Sequence, residues 1–423
     1  MRRTVLLLFI TLGFHCSFAQ GEKRWIKERI TKLSSGPMHG RGYVNKGGEK
    51  AAAYIQSSFR EFGILPFEKD STYLQDYFMS INTFPEDVML ELNGNYMRPG
   101  HDYIVDAGSS PYFAEKIKLK KIDLKKVKDS ASWARVKAKF EPNKAYWLKN
   151  SDTVTKYLKL SHRTFAKQFP KGLFIMPKHG KLTWSAWQET IPATILYVED
   201  TVLPKRVSYA AVNVESKFVP AFKNHNLIGF VPGTENPDSF IVFTAHYDHL
   251  GRMGRQTVFP GAHDNASGTS LVLYLANYFA RHPQKYSVAF MLFSGEEAGL
   301  VGSKHYVKTP LFPLEQIRFV VNLDMTGDAT NGITVVNGDE MKREFNLLER
   351  INLKNAYVPK VVVRGQTQNS DHYSFSAAGV PAVFIYSNGT KPYYHDVFDT
   401  AKELSLAYID GLAKLLIEFT GSL

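Results

Sequence analysis

The chain has almost no cysteine. Its single thiol, Cys16, stands near the start of 423 residues. Beyond that point no disulfide and no thiolate zinc site can form. Long apolar runs are also missing. A bilayer span needs about 20 consecutive apolar residues, and the best run, Val5 to Phe14, is too short. Internal repeats and low-complexity tracts are absent, which excludes solenoid and fibrous architectures. Acidic residues are scarce in one stretch. Between Lys116 and Lys181 stand four of them against 19 Lys and Arg, a net of +15 in a chain whose total is +12. Such a field either steers acidic substrates toward the molecule or is a solvated basic face.

The first residues read as a leader. Arg2 and Arg3 are followed by the short apolar run and by Ser17-Phe18-Ala19, small residues at both recognition positions before a cut. The expectation is a signal peptide over residues 1–19, with Gln20 first in the mature chain, and a periplasmic or extracellular destination. A lipoprotein would acylate Cys16, but the bulky His15 stands where small residues are needed.

The remaining composition is globular, with 44% hydrophobic and 13% aromatic residues. Trp25 to Leu33 and Lys50 to Phe62 have helical apolar spacing, with the turn His39-Gly40-Arg41-Gly42 between them. From about Phe84 to Phe218 short β-like runs such as Val88–Leu92 and Leu173–Met176 alternate with Pro, Gly and Lys, which marks an inserted β-rich domain. From Asn226 onward strand, loop and helix repeat. The apolar runs are Leu227–Val231, Phe240–Ala245, Ser287–Phe293, Ile317–Leu323 and Ala382–Tyr386. Helical patterns cover Ser267–Arg281, Met341–Leu353 and Ala401–Phe419. Continuous apolar strands alternating with helices predict an α/β fold, a mostly parallel mixed sheet flanked by helices. The expected division is 1–19 leader, 20–83 N-terminal helices, 84–218 insertion and 219–423 main domain.

Polar motifs fall where these strands end, the place where such sheets bind ligands. They are His246-Tyr247-Asp248, Gly261-Ala262-His263-Asp264-Asn265, Ser294-Gly295-Glu296-Glu297, Asn322-Leu323-Asp324 and Tyr394-His395-Asp396. Any one acid is ordinary; Asp264-Asn265 alone would be a helix cap. Five strand ends carrying imidazole or carboxylate in apolar surroundings are not ordinary, because unpaired charge there is costly. Hydrolysis at two metal ions needs a bridging carboxylate, further ligands on each ion and a free carboxylate for the proton of water. His246, Asp264, Glu297, Asp324 and His395, with Glu296, supply that number. Asp248 suits a carboxylate that orients an imidazole. His249, His263 and His372 are expected not to be ligands.

The runs T-A-H-Y-D-H-L-G, G-A-H-D-N-A-S-G, F-S-G-E-E-A-G-L-V-G-S, N-L-D-M, S-D-H-Y-S-F and Y-H-D-V-F-D-T, together with Gly40-Arg41, resemble the zinc peptidases of the bacterial leucyl aminopeptidase type. Their superfamily includes glutamate carboxypeptidase, the transferrin receptor and glutaminyl cyclase. The resemblance implies that His246 and Asp324 bind one Zn2+, that Glu297 and His395 bind a second, and that Asp264 bridges them. Glu296 becomes the general base, Tyr394 polarises the scissile carbonyl, and the bond between Asp264 and Asn265 is cis. Two positions depart from the family pattern: His263, where an acidic or small residue is common, and Asn369, where Arg often stands. The expected partner is a peptide substrate and not a nucleic acid. Cyclases of this superfamily lack the first histidine ligand, which His246 supplies. A carboxypeptidase is not separated by these motifs, and a non-enzymatic binding protein would have lost ligands that are all present. The sequence carries no signal for oligomeric state.

Overall fold

The computed structural model describes residues 21–67 and 72–423. The expected leader, with Cys16 and the cut before Gln20, lies outside the described residues. Among the described residues no helix is long and apolar enough to cross a membrane.

The larger half is built on an eight-stranded mixed sheet. Its spatial order is Leu74–Thr83, Lys217–Val231, Tyr286–Phe293, Asn236–His246, Ile317–Leu323, Ala382–Ser387, Ile333–Val336 and Val361–Arg364. The four strands from Tyr286–Phe293 to Ala382–Ser387 run parallel. Antiparallel neighbours flank them. Side chains alternate across a strand, so each apolar run feeds two cores. Ile241, Phe243 and Ala245 pack with helices 21–33, Gly47–Phe62, Gly268–Arg281 and Ile409–Ser422. Phe240 and Val242 meet Tyr306 of Val301–Lys308 and Phe375 of His372–Ala377 on the other face. The first helix turns Ile26, Ile30 and Leu33 to the core, as a 3.6-residue period requires.

The elements differ from expectation at several ends. The last helix is Ile409–Ser422, not Ala401–Phe419. Leu406 and Tyr408 have φ of +52° and +60°, which a right-handed helix does not admit. Ser267 and Met341 precede their helices as caps. The strands Ile333–Val336 and Val361–Arg364 and the helices Val301–Lys308 and His372–Ala377 were not foreseen. They are too short for periodicity to declare them.

Thr83 pairs with Lys217 and Asn82 with Phe218. The chain therefore leaves and re-enters the large sheet on adjacent strands, and the residues between form a body with its own core. That body holds a four-stranded antiparallel sheet and a five-stranded sheet. Four strands of the latter run parallel. It also contains the helices Ser130–Lys137, Ser151–Leu158 and His162–Ala166, which the β-like texture did not announce. Trp133, Trp147, Trp184 and Trp187 are buried in it, so these aromatics are core and not surface. Leu250, Met253 and Phe259 of the larger half join the same core.

Candidate metal centre

The parallel strands deliver polar groups at their carboxyl ends. Asn236–His246 ends on His246, Glu296 and Glu297 follow Tyr286–Phe293, and Asp324 follows Ile317–Leu323. His395 lies in the loop after Ala382–Ser387. Asp264 sits in the turn Ala262–Ser267 ahead of Gly268–Arg281, and its bond to Asn265 is cis.

Asp264 stands between the two imidazoles. Its Oδ1 is 3.3 Å from His246 Nε2 and its Oδ2 is 3.1 Å from His395 Nε2. Asp324 Oδ1 lies 3.3 Å from the same His246 nitrogen, and Glu297 Oε2 lies 3.0 Å from His395 Nε2. Each ring turns its other nitrogen to a carbonyl: His246 Nδ1 to Asp248 O at 3.2 Å and His395 Nδ1 to Trp184 O at 3.0 Å. The Nε2 atoms therefore converge on Asp264. The neighbouring glutamates part company. Glu296 groups with His246 and Asp324, and Glu297 with His246 and Asp264, each set having one donor atom per residue within 4.8 Å.

A second ring of residues fixes the first. The Asp248 carboxylate was expected to orient His246. Its Oδ1 is 3.6 Å away, farther than its own carbonyl. It also accepts from Tyr43 OH at 3.0 Å and the Glu296 N–H at 3.3 Å. Ser370 Oγ donates to Asp324 Oδ2 at 2.7 Å. The Asp399 carboxylate accepts from the backbone N–H groups of His263 and Asp264, at 2.8 and 3.0 Å. His249 was set aside in the sequence, yet its Nδ1 is 2.6 Å from Glu297 Oε1. Arg41, the one buried guanidinium among the described residues, donates to the carbonyls of Leu33, Tyr247, Pro260, Gly261 and Asp264. Gly40 makes room for this. It has φ +63°, and a Cβ there would collide with the carbonyl oxygens of Phe259 and Gly251. Asp399 was present in the Y-H-D-V-F-D-T run and could have been found there. Ser370 opens the quoted run S-D-H-Y-S-F but has no ligand chemistry. Trp184 carries no signal at all, because it contributes a backbone carbonyl.

The other candidates sort by position. His263 and Asn369 line the cavity over the centre. His372 is packed against Phe384, and burial holds its pKa down at about 4, so it is a neutral core residue. Tyr394 is exposed at the rim, its ring stacked 3.8 Å from that of His395.

Burial opposes charge on His246 and His395, but the facing carboxylates outweigh it and hold both imidazoles well above their ordinary range. Glu297 is driven the other way. Burial would raise it, yet His395 and His249 hold it down to about 2. Glu296 is pushed well up by burial and by Glu297 and Asp324, against the pull of His246. Asp248, Asp264, Glu297, Asp324 and Asp399 are all buried, and all but Asp324 lie near the Arg41 guanidinium. That excess of negative charge away from water calls for a cation. Imidazole nitrogen with carboxylate oxygen is a donor set zinc accepts, so the residues present fit the metal. The cavity above them, about 540 Å³, is walled by Met325, Arg364, Phe384, Tyr386 and Tyr394 among others.

Residues 226–420, which carry all of this donor set, match the model of peptidase family M28. The likeness to that family is carried by this part of the chain. Among curated relatives, a probable leucine aminopeptidase of Arthroderma otae is 29% identical over 222 residues, 49% of this chain and 59% of that protein. Aminopeptidase YwaD of Bacillus subtilis is 30% identical over 198 residues, 44% of this chain and 42% of its own length. The chain thus spans about three fifths or less of these relatives. The fold is shared more widely. An aminopeptidase from Aneurinibacillus sp. strain AM-1 superposes with a TM-score of 0.64 at 20% identity, covering 94% of this chain and 92% of that one. A zinc aminopeptidase from Bacillus subtilis gives 0.66 at 20% identity, with 94% of both chains covered. The insertion is therefore included in the shared architecture.

Proposed function

We propose that this chain is an exported aminopeptidase that uses two zinc ions to remove the first residue of peptides. The observation that carries the reading is the placement of Asp264, with one carboxylate oxygen toward each imidazole. His246 and Asp324 would hold one ion, Glu297 and His395 the other, and Asp264 both. Bound there, the ions would supply an acidified water and polarise the peptide carbonyl. Glu296, in the cavity wall, takes the water proton and returns it to the leaving amine. Tyr394 at the rim donates its hydroxyl to the scissile carbonyl oxygen. The cavity receives the side chain of the first residue, and the carboxylates at its floor favour a free α-amine. The relatives named as aminopeptidases support the reaction class.

The test is metal analysis with a substrate panel. Purified protein binds about two zinc ions per chain, cleaves aminoacyl amides, leaves amino-acetylated peptides intact, and loses activity with a chelator until zinc is restored. Full activity in metal-free protein overturns the reading. Release of residues from the carboxyl end, or cyclisation of N-terminal glutamine without hydrolysis, replaces it with a carboxypeptidase or a cyclase. Export predicts that protein recovered outside the cytoplasm begins at Gln20; recovery inside with Met1 in place removes that part.

A further inference from the structure

We infer that residues 181–188 of the inserted domain are a clamp that positions His395 and the Glu297 loop, so that the insertion sets one of the two metal positions. The inference rests on the dinuclear reading above. The two imidazoles are supported differently. His246 is oriented by the carbonyl of Asp248, two residues along its own loop, and Asp324 by Ser370. Both partners belong to the larger half. His395 is oriented from across the molecule.

The contact is reciprocal. The Trp184 N–H donates to His395 O at 2.9 Å, and His395 Nδ1–H donates to Trp184 O at 3.0 Å. Among the described residues Nδ1 has no other partner. The pair fixes which nitrogen carries the proton and turns Nε2 between Asp264 and Glu297. It also secures a backbone that would not hold itself, since His395 has φ +55°, a region a non-glycine residue enters at a cost. Trp184 is held in turn. Its indole N–H donates to Val105 O at 2.8 Å, and its ring stacks 4.7 Å from Phe259.

Three further contacts extend the clamp. The Lys181 ammonium lies 2.7 Å from the buried carboxylate of Asp396 and also donates to Pro392 O. Both acceptors flank His395 in the chain. Gln188 Nε2 donates to Ala298 O at 2.9 Å, and Ala298 directly follows Glu297. The insertion thus hydrogen-bonds to the loops of both ligands expected for one ion, whereas along the chain after His246 its packing begins at Leu250, beyond the Asp248 carbonyl that orients that ring. Partners that orient a metal ligand typically change metal affinity about 10- to 100-fold when altered.

The experiment is a stepwise zinc titration of the full chain against a colorimetric chelator, comparing wild type with Lys181→Met, Trp184→Phe, Lys181→Arg and His395→Ala. Lys181→Met and Trp184→Phe should weaken one zinc about tenfold or more and leave the other unchanged. Lys181→Arg, which keeps the ion pair, should stay near wild type. Adding Lys181→Met to His395→Ala should change little, because the lysine acts through that histidine. Equal weakening of both zinc ions, together with a lower Tm, would show a general structural role and overturn the clamp, as would additive effects with His395→Ala. Variants that bind both ions like wild type sink the clamp alone. A wild-type chain that takes up no zinc sinks the proposed function and the clamp with it.

Discussion

Glu296 and Glu297 are neighbours in the chain and opposites in charge behaviour. Glu297 is held ionised at about 2 by two imidazoles, as a metal ligand should be. Glu296 is raised by burial and like charge, the direction of shift a general base needs. Glu296→Gln keeps the shape and removes the base. Zinc content and fold should stay as in wild type, while kcat falls about 10²- to 10⁴-fold. Loss of zinc from that variant would mean that the two glutamates have exchanged roles. The sequence offered both residues, and extended backbone required them to point apart. The surroundings of each came from distant parts of the chain, His249 and His395 for Glu297 and His246 and Asp324 for Glu296, which a local pattern does not contain.

At the scale of elements, the long central strands were legible, and the short strands, short helices and loops were not. Five apolar runs became five strands, four of them parallel, because a strand buried on both faces has no polar positions to disguise it. Ala401–Tyr408 reads as helix from its apolar spacing and folds as turns, because spacing reports burial and not the sign of φ. The turn His39–Gly42 illustrates the larger gap. Arg41 there satisfies five carbonyls from three separate segments and lies near Asp264 and Asp399. Burial lowers its pKa only to about 10, so it stays charged at neutral pH. Arg41→Met should therefore destabilise the fold by about 3–5 kcal/mol, the scale for stripping a buried charge of its partner. Denaturant unfolding measures this, and a change under about 1 kcal/mol would show that water replaces the guanidinium.

At the scale of the molecule, the basic stretch is part of a domain that touches the centre. Lys120, Lys121, Lys125 and Lys126 are exposed. Lys120 alone of these has a close acidic partner among the described residues, Glu141 at 2.5 Å. The Debye length is about 10 Å at 0.1 M salt and about 3 Å at 1 M. For an acidic peptide kcat/KM should fall as salt rises across that range, and for a neutral peptide it should hold. Replacing the four lysines with glutamine should flatten the difference without changing zinc content. Parallel responses of both peptides would identify the charge as a solvated face.

The sequence by itself determined the donor chemistry and its place in the fold. Imidazoles and carboxylates at the ends of apolar strands have no inexpensive alternative to gathering where those strands point. Tertiary structure decided what holds each donor. His395 is oriented by a carbonyl that lies 211 residues earlier in the chain, in another domain. Every residue except proline offers a backbone carbonyl and N–H alike, so side-chain identity cannot encode that contact. Only the packing of the insertion against the metal-binding loops brings Trp184 to the histidine.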